Sequence, residues 1–454
     1  MAPNSQPKPH VIVIGAGFTG LAAAYDLCRS DIAVTVLESD GQIGGLAGSF
    51  EAGGESIEKF YHHWFTSDEH ILGLIRELGL EDRVLFRPTR TGMFMANRFF
   101  RLSSPLDVLR FTPLTLPQRI RLGLLALRAR GVADYEALES ITAREWLIQL
   151  GGPEVYRVVW EPLLRGKFGA AADDIAAVWI ANKLRLRGGS RGKRGEERLA
   201  YFRGGFSALA GAIRSEIGRL GGAVLTCKEV TGLQVDGERV TGVVTKDGSA
   251  AADAVLATPA LPITAQLVSP HVTAKEVEAL LRIRYLGNIC VVLELDRSLS
   301  STYWLNVNDP GFPFVAVIEH TNFEPASTYS GRHIVYLSRY LPGDDPMLAM
   351  SDPEVLEHTL PHLRRMFPAF SSHWIQASHV WRAKYAQPIV ERNYRTLIPA
   401  ERGPLDRLYV STMAQIYPED RGTNYAVREG RRIAAVMATD LGRKRTPLNN
   451  RTLR

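Results

Sequence analysis

The 454-residue chain is 45% apolar and 22% charged, the balance of a globular protein with large cores, which excludes global disorder and favours two lobes over one. Its formal charge of +6 is small for that length and falls mostly on scattered arginine, so no nucleic-acid partner is implied. Cys28, Cys227 and Cys290 lie too far apart to specify a disulfide framework or a metal site.

In chain order, the polar tail ending at His10 lacks the apolar core of a signal peptide. No apolar run reaches the roughly 20 residues that cross a bilayer, so the expectation is a cytoplasmic protein, soluble or peripheral on a membrane. Residues 10–14 alternate Val and Ile as a buried strand and lead into GAGFTG, which sets Gly15, Gly17 and Gly20 at the GxGxxG spacing. Gly15 permits the tight turn, Gly17 lets backbone approach a diphosphate, and Gly20 lets a helix pack close to the strand. Phe18 and Thr19 belong to the same site, because the helix that follows points its N-terminal amides and positive dipole end at the phosphates. A second strand over 33–37 ends at Glu38, beside Ser39, where a carboxylate can accept from a ribose hydroxyl. Strand, spacing, helix and acid together predict dinucleotide binding.

A second glycine-rich loop, Gly41 to Gly48, follows at once. A simple nicotinamide-binding domain does not need it. With this loop the sequence resembles the flavin-dependent amine oxidase superfamily, which includes protoporphyrinogen oxidases and phytoene desaturases. The resemblance implies non-covalent FAD, with Gly44, Gly45, Leu46 and Ala47 wrapping its phosphates and ribityl chain. Gln42 stands where the superfamily carries a basic residue, which puts that phosphate contact in doubt. It also implies that cofactor-binding segments return later in the chain. Residues 201–259 supply one, with a helix to about 220, strands at 223–227, 230–235 and 240–245, and a buried strand at 253–257 that delivers Thr258; Val230 is the expected adenine contact. Residues 408–438 supply the other, a short strand and a helix whose first residues, Thr423, Asn424 and Tyr425, are expected at the isoalloxazine. Thr412, Met413, Ala414 and Gln415 stand where the superfamily has Gly-Asp, so the ribityl contact there is replaced, with Met413 at the position, or absent.

The expected fold is α/β: a Rossmann-like, GR2-type FAD-binding domain assembled from 1–84, 201–265 and 401–454, and a substrate domain with a helical cap (85–200) over a mixed sheet (266–400). The run FYHHWF carries the catalytic candidates His62 and His63. The segment resembles the flavin-side histidine pattern of UDP-galactopyranose mutases, with His63 as counterpart, and both rings also read as hydrogen-bonded core residues. Substrate candidates are Trp160 and Arg165, with Glu161 and Lys167 in the same run, Trp304, Asn306, His320, Asn322 and Tyr417, each equally readable as a helix end or strand edge. Residues 105–130 mix leucines with arginines and read either as a membrane-interface segment or as a cap helix packed inward. The basic stretch 187–198 reads as a lid over an anionic substrate. The functional expectation is an FAD-dependent oxidoreductase acting on a small-molecule, lipid-like or prenyl-like substrate. The alternatives are a non-redox sugar-nucleotide mutase and a non-catalytic flavin carrier. Oligomeric state is not specified by the sequence.

Overall fold

The computed structural model describes residues 7–102, 104–132, 134–189 and 197–443. Most of the basic stretch 187–198, namely 190–196, therefore lies outside the described residues.

A five-stranded, wholly parallel sheet runs in the order Ala223–Leu225, Ala33–Leu37, His10–Ile14, Ala254–Ala257, Leu408–Val410. Its central strand is apolar on both sides because both faces are covered. Val11 and Val13 pack with Leu21, Val427 and Ile433, whereas Ile12 and Ile14 pack with Leu233, Val240 and Leu261 on the other face, the alternation that a pleated strand imposes. The first helix, Phe18–Cys28, lies against the last, Thr423–Asp440. Gly430 makes that approach possible: a Cβ there would sit 2.3 Å from the Thr19 carbonyl oxygen and 3.0 Å from the Ala22 Cβ. The sheet thus draws its strands from three separated stretches of chain. An antiparallel meander, Val230–Asp236, Arg239–Thr245 and Gly248–Ala251, is attached to it.

The second sheet has seven strands in the order Ile375–Pro388, Tyr285–Leu295, His333–Pro342, Ala316–Glu319, Trp304–Val307, Thr91–Met95, Arg98–Arg101. All its pairings are antiparallel except Trp304–Val307 with Thr91–Met95. Two of these strands correct the expectation that the chain from 85 is largely helical. A third, Val84–Thr89, pairs with Glu197–Phe202. The hairpin turn between Thr91–Met95 and Arg98–Arg101 has φ of 52° at Ala96 and 54° at Asn97, the left-handed geometry of a tight two-residue turn. Ala96 is a poor residue for it. The turn is held by Asp309, whose carboxylate accepts from the Ala96 amide at 2.5 Å and the Asn97 amide at 2.8 Å, a partner that no local sequence signal reveals. The helical cap follows in Leu116–Arg130, Ala143–Gly151, Glu161–Phe168 and Ala177–Gly189. No helix among the described residues is long and apolar enough to cross a membrane.

Candidate functional site

The two glycine loops meet at the carboxyl ends of the parallel strands. Gly15 (φ +98°) donates its amide to the Leu37 carbonyl at 2.8 Å, and Thr258 donates its hydroxyl to the Ile14 carbonyl at 2.7 Å. A Cβ on Gly20 would sit 2.0 Å from the Gly15 carbonyl oxygen, so helix and loop touch through bare backbone. Gly44 (φ +113°) and Gly45 (φ +59°) fold the second loop onto the first, with the Gly44 amide donating to the Ala16 carbonyl at 2.9 Å. Leu46 reaches the central cavity and Ala47 is buried.

Gly17 differs from its neighbours. Its backbone (φ −71°, ψ 173°) is open to any residue, and a Cβ there would find nothing nearer than Gly45 Cα at 3.9 Å. The protein itself does not require glycine at this point. A group that must approach the first turn of helix Phe18–Cys28 does, and that turn offers amides without intrahelical partners, Phe18 and Thr19 among them. The cradle therefore fits a diphosphate. Glu38 also holds it together: one carboxylate oxygen accepts from the Ala16 amide at 2.8 Å, the other from the Asp40 amide at 2.9 Å and the Ser39 hydroxyl at 3.2 Å. Of the roughly four acceptor positions of a carboxylate, these bonds among the described residues fill three, which leaves room for a further donor. Val230 opens the meander strand, half-buried.

The start of the final helix, whose backbone amides are expected at the isoalloxazine, is pinned by its own side chains. The Trp64 indole donates to the Thr423 hydroxyl at 2.7 Å. The Asn424 amide oxygen accepts from the backbone of His70 at 3.0 Å and Ile71 at 3.1 Å, capping helix Glu69–Glu77 from outside. These bonds fix the FYHHWF segment against the helix N-terminus, and Tyr425 continues into the cavity lining.

That cavity, about 360 Å³, is lined by the 60–65 run, by Trp160, Lys167, Trp179 and Lys183 of the cap, by Trp304, Asn306 and Tyr340 of the mixed sheet, and by Asp420 and Arg421. His63 Nδ1 is 2.9 Å from the Tyr303 hydroxyl. His62 Nδ1 lies 2.5 Å from the Phe60 carbonyl oxygen and must donate to it, leaving Nε2 as an acceptor. Burial pushes the His62 pKa down to about 4, so that ring is neutral at ordinary pH. Trp304 donates its indole N–H to Asn306 at 2.9 Å. Asp68 closes this side; burial pushes its carboxyl up to about 7 while the Phe65 amide donates to it at 3.0 Å.

Four substrate candidates lie elsewhere. Arg165 is exposed and paired with Glu161 and Asp173, both at 3.1 Å, as the helix i,i+4 spacing to Glu161 favours. His320 is 1% exposed, shares a 2.8 Å hydrogen bond with Tyr329 and is pushed down to about 3 by burial; it belongs to the aromatic core. Asn322 donates to the Ser300 and Thr302 carbonyls at 2.9 and 3.0 Å and holds a loop. Tyr417 stacks on Tyr394 with centroids 5.7 Å apart. The cavity residues missed in sequence include Asp68, Trp179, Lys183, Tyr303 and Tyr340, side chains that carry no local pattern.

A family model described as flavin containing amine oxidoreductase matches residues 18–438. The chain belongs to that family. Membership implies a flavin cofactor. Among curated proteins the chain is 27% identical over 193 residues to the coproporphyrinogen III oxidase of Propionibacterium freudenreichii subsp. freudenreichii, covering 39% of this chain and 35% of the relative. It is 26% identical over 388 residues to a chloroplastic/chromoplastic 15-cis-phytoene desaturase of an Oncidium hybrid cultivar, covering 80% of this chain and 65% of the relative. The chain thus spans from about a third to just under two thirds of these relatives. Among solved structures, reduced UDP-galactopyranose mutase superposes with a TM-score of 0.73 at 14% identity over 95% of this chain and 96% of its own. Cyclohexylamine oxidase from Brevibacterium oxydans IH-35A does so with a TM-score of 0.67 at 18% identity over 96% and 100%. These two share the fold.

Within this amine oxidoreductase chain, the two departures noted in the sequence have structural readings. Gln42 is exposed and donates its backbone amide to Asp40 at 3.3 Å; residues 41–48 carry no basic side chain, and Lys59 Nζ lies 3.8 Å from the Asp40 carboxylate. Met413 opens a short 3₁₀ turn, and Gln415 accepts from the Thr412 amide at 2.8 Å while donating to the Pro399 and Val410 carbonyls. The Gln415 side chain is thus engaged by backbone and does not substitute for the expected aspartate.

Proposed function

We propose that the chain is an FAD-dependent oxidoreductase of the dehydrogenase or desaturase type, acting on an organic, lipid-like or prenyl-like substrate held in the 360 Å³ cavity. The observation that carries the reading is the interlocked pair of glycine loops, open at Gly17, leading through Leu46 and the start of helix Thr423–Asp440 into an aromatic cavity. Gly15, Gly17, Gly20, Phe18 and Thr19 would hold the diphosphate, Glu38 the ribose, and Val230 the adenine. The amides of Thr423, Asn424 and Tyr425 would face the ring system. Bound there, FAD supplies the hydride acceptor. The protein's own part is to bind and orient the substrate and to exclude water. The indoles of Trp160, Trp179 and Trp304 form much of the apolar lining. His63, within 2.9 Å of the Tyr303 hydroxyl, would move a proton, and His62 would offer a neutral acceptor.

The test is anaerobic bleaching of the flavoprotein by candidate lipids. Bleaching by one of them supports the reading. Turnover of a nucleotide sugar without net redox change, dependent on reduced flavin, would replace it with a mutase, and a flavin that no substrate reduces would replace it with a carrier. Unchanged turnover in His63→Ala would remove that histidine from the chemistry.

A peripheral membrane contact through 105–130 belongs to the same proposal. Leu106, Leu109, Leu116, Ile120, Leu124 and Leu127 are all exposed, four of them on one face of helix Leu116–Arg130, whose opposite face buries Leu122, Leu125 and Ala129. Between Arg98 and Val132 the only acid is Asp107, among seven arginines. An apolar face rimmed by guanidinium groups suits the boundary between acyl chains and anionic headgroups.

A further inference from the structure

Two cap helices each contribute one lysine to the cavity lining, Lys167 from Glu161–Phe168 and Lys183 from Ala177–Gly189, and the loop before the final helix adds Asp420 and Arg421. Lys183 Nζ is 2.5 Å and Lys167 Nζ 3.9 Å from the same oxygen, Asp420 Oδ2, while Gln387 donates to Oδ1 at 3.1 Å. Arg421 donates to the Tyr340 hydroxyl at 2.9 Å, and its Nε is buried without a hydrogen-bond partner among the described residues. Two further buried donors that find no partner among the described residues, the indole N–H groups of Trp160 and Trp179, belong to the same lining.

One carboxylate therefore meets three cations. Burial alone would raise the Asp420 pKa, yet Lys183, Lys167 and Arg421 hold it far below the usual carboxylate range. Of the other acids of the lining, Asp68 is pushed up to about 7 by burial, and Glu197 is engaged with the Thr91 hydroxyl at 2.5 Å rather than with either lysine or Arg421 in any ion pair among the described residues. Positive charge and unmet N–H donors in an otherwise apolar wall are costly unless something negative meets them.

We propose that this end of the cavity is a subsite for an anionic group, carboxylate or phosphate, carried on an apolar substrate body. The assignment rests on reading the cavity as the substrate site. Lys167 lies over the rings of Trp179 at 4.6 Å and Tyr340 at 5.1 Å, so its ammonium is positioned by aromatic faces while its charge remains available. Burial, with Lys183 and Arg421 adding to it and Asp420 opposing, pushes the Lys167 amine down to about 7. The groups facing it are thus Asp420, Lys183, Arg421 and Tyr340. An anion raises that value, so affinity is full below about pH 7 and weakens as pH rises, with proton uptake on binding.

Calorimetric titration of the purified flavoprotein with dodecanoate, dodecyl phosphate and dodecanol tests the subsite and separates the two anion sources. One or both anions should bind at least about tenfold more tightly than dodecanol, the worth of one charge-assisted hydrogen bond. Lys183→Gln and Lys167→Gln should each erase most of that preference, while Lys183→Arg, which keeps the charge and guards against a folding artefact, retains it. Equal binding of dodecanol, or a preference that survives both glutamine variants, overturns the proposal. If Lys183→Gln moves the flavin potential and leaves the preference intact, the cations serve the cofactor and the subsite is likewise refuted. The preference can be measured in protein that carries no flavin, so failure of the oxidoreductase reading remains distinguishable.

Discussion

Replacing Gly17 with Ala isolates what the glycine loop is for. The new Cβ meets only Gly45 Cα, at 3.9 Å, and the backbone angles suit alanine, so the folded protein should keep its stability within about 0.5 kcal/mol, as substitutions without a steric or polar cause do. The methyl group instead occupies space in front of the first helical turn. Displacing a phosphate from one amide there removes a charge-assisted hydrogen bond of about 1.5–3 kcal/mol, or roughly ten- to a hundredfold in flavin affinity. Gly211→Ala is the control: it lies inside helix Gly205–Arg219 with nothing within 4 Å of its Cβ, and should gain up to about 1 kcal/mol from helix propensity. The assay is flavin fluorescence titration of the deflavinated proteins beside their urea denaturation curves. Undiminished flavin affinity in Gly17→Ala, or affinity and stability lost together, would refute the assignment of this loop to a ligand.

Gly430→Ala should lower stability by about 1–3 kcal/mol, the usual cost of overpacking, because its Cβ would stand 2.3 Å from the Thr19 carbonyl; an unchanged denaturation midpoint contradicts the close helix crossing. The depressed His62 pKa, about 4 against 6.5 in the unfolded chain, makes the unfolded state the stronger proton binder between those values, so stability should be complete above pH 6.5 and fall as pH drops towards 4. Denaturation midpoints across that window should show a shallower slope for His62→Gln, and identical slopes would count against its burial as a neutral ring. Ile120→Asp with Leu127→Asp should abolish co-flotation with phosphatidylcholine–phosphatidylglycerol vesicles while leaving flavin content unaltered; a wild-type protein that does not float removes the membrane contact.

The glycine loops, the parallel strands and the closing helix were legible in the sequence because their signals are local: a strand, a fixed spacing and a helix start within about 20 residues. What escaped depends on distant partners. The hairpin at Ala96 and Asn97 is imposed by Asp309, and the stretch consequently reads as part of a helical insertion. His320 and Asn322 have the polar character of pocket residues, yet Tyr329, Ser300 and Thr302 consume their hydrogen bonds. The helix start at Thr423 is legible in the sequence, whereas the bonds that the Thr423 and Asn424 side chains make to Trp64 and helix Glu69–Glu77 are not. Conversely, Lys183 and Tyr340 gain meaning only once the cap helix and the mixed sheet face one cavity, and a lone lysine in an apolar helix announces nothing by itself.

The most direct measurement is the absorption spectrum of the purified, folded protein, with the released cofactor identified by chromatography. About one FAD per chain, with flavin bands that shift on denaturation, is the predicted result. A folded, colourless preparation that takes up no added FAD would contradict it.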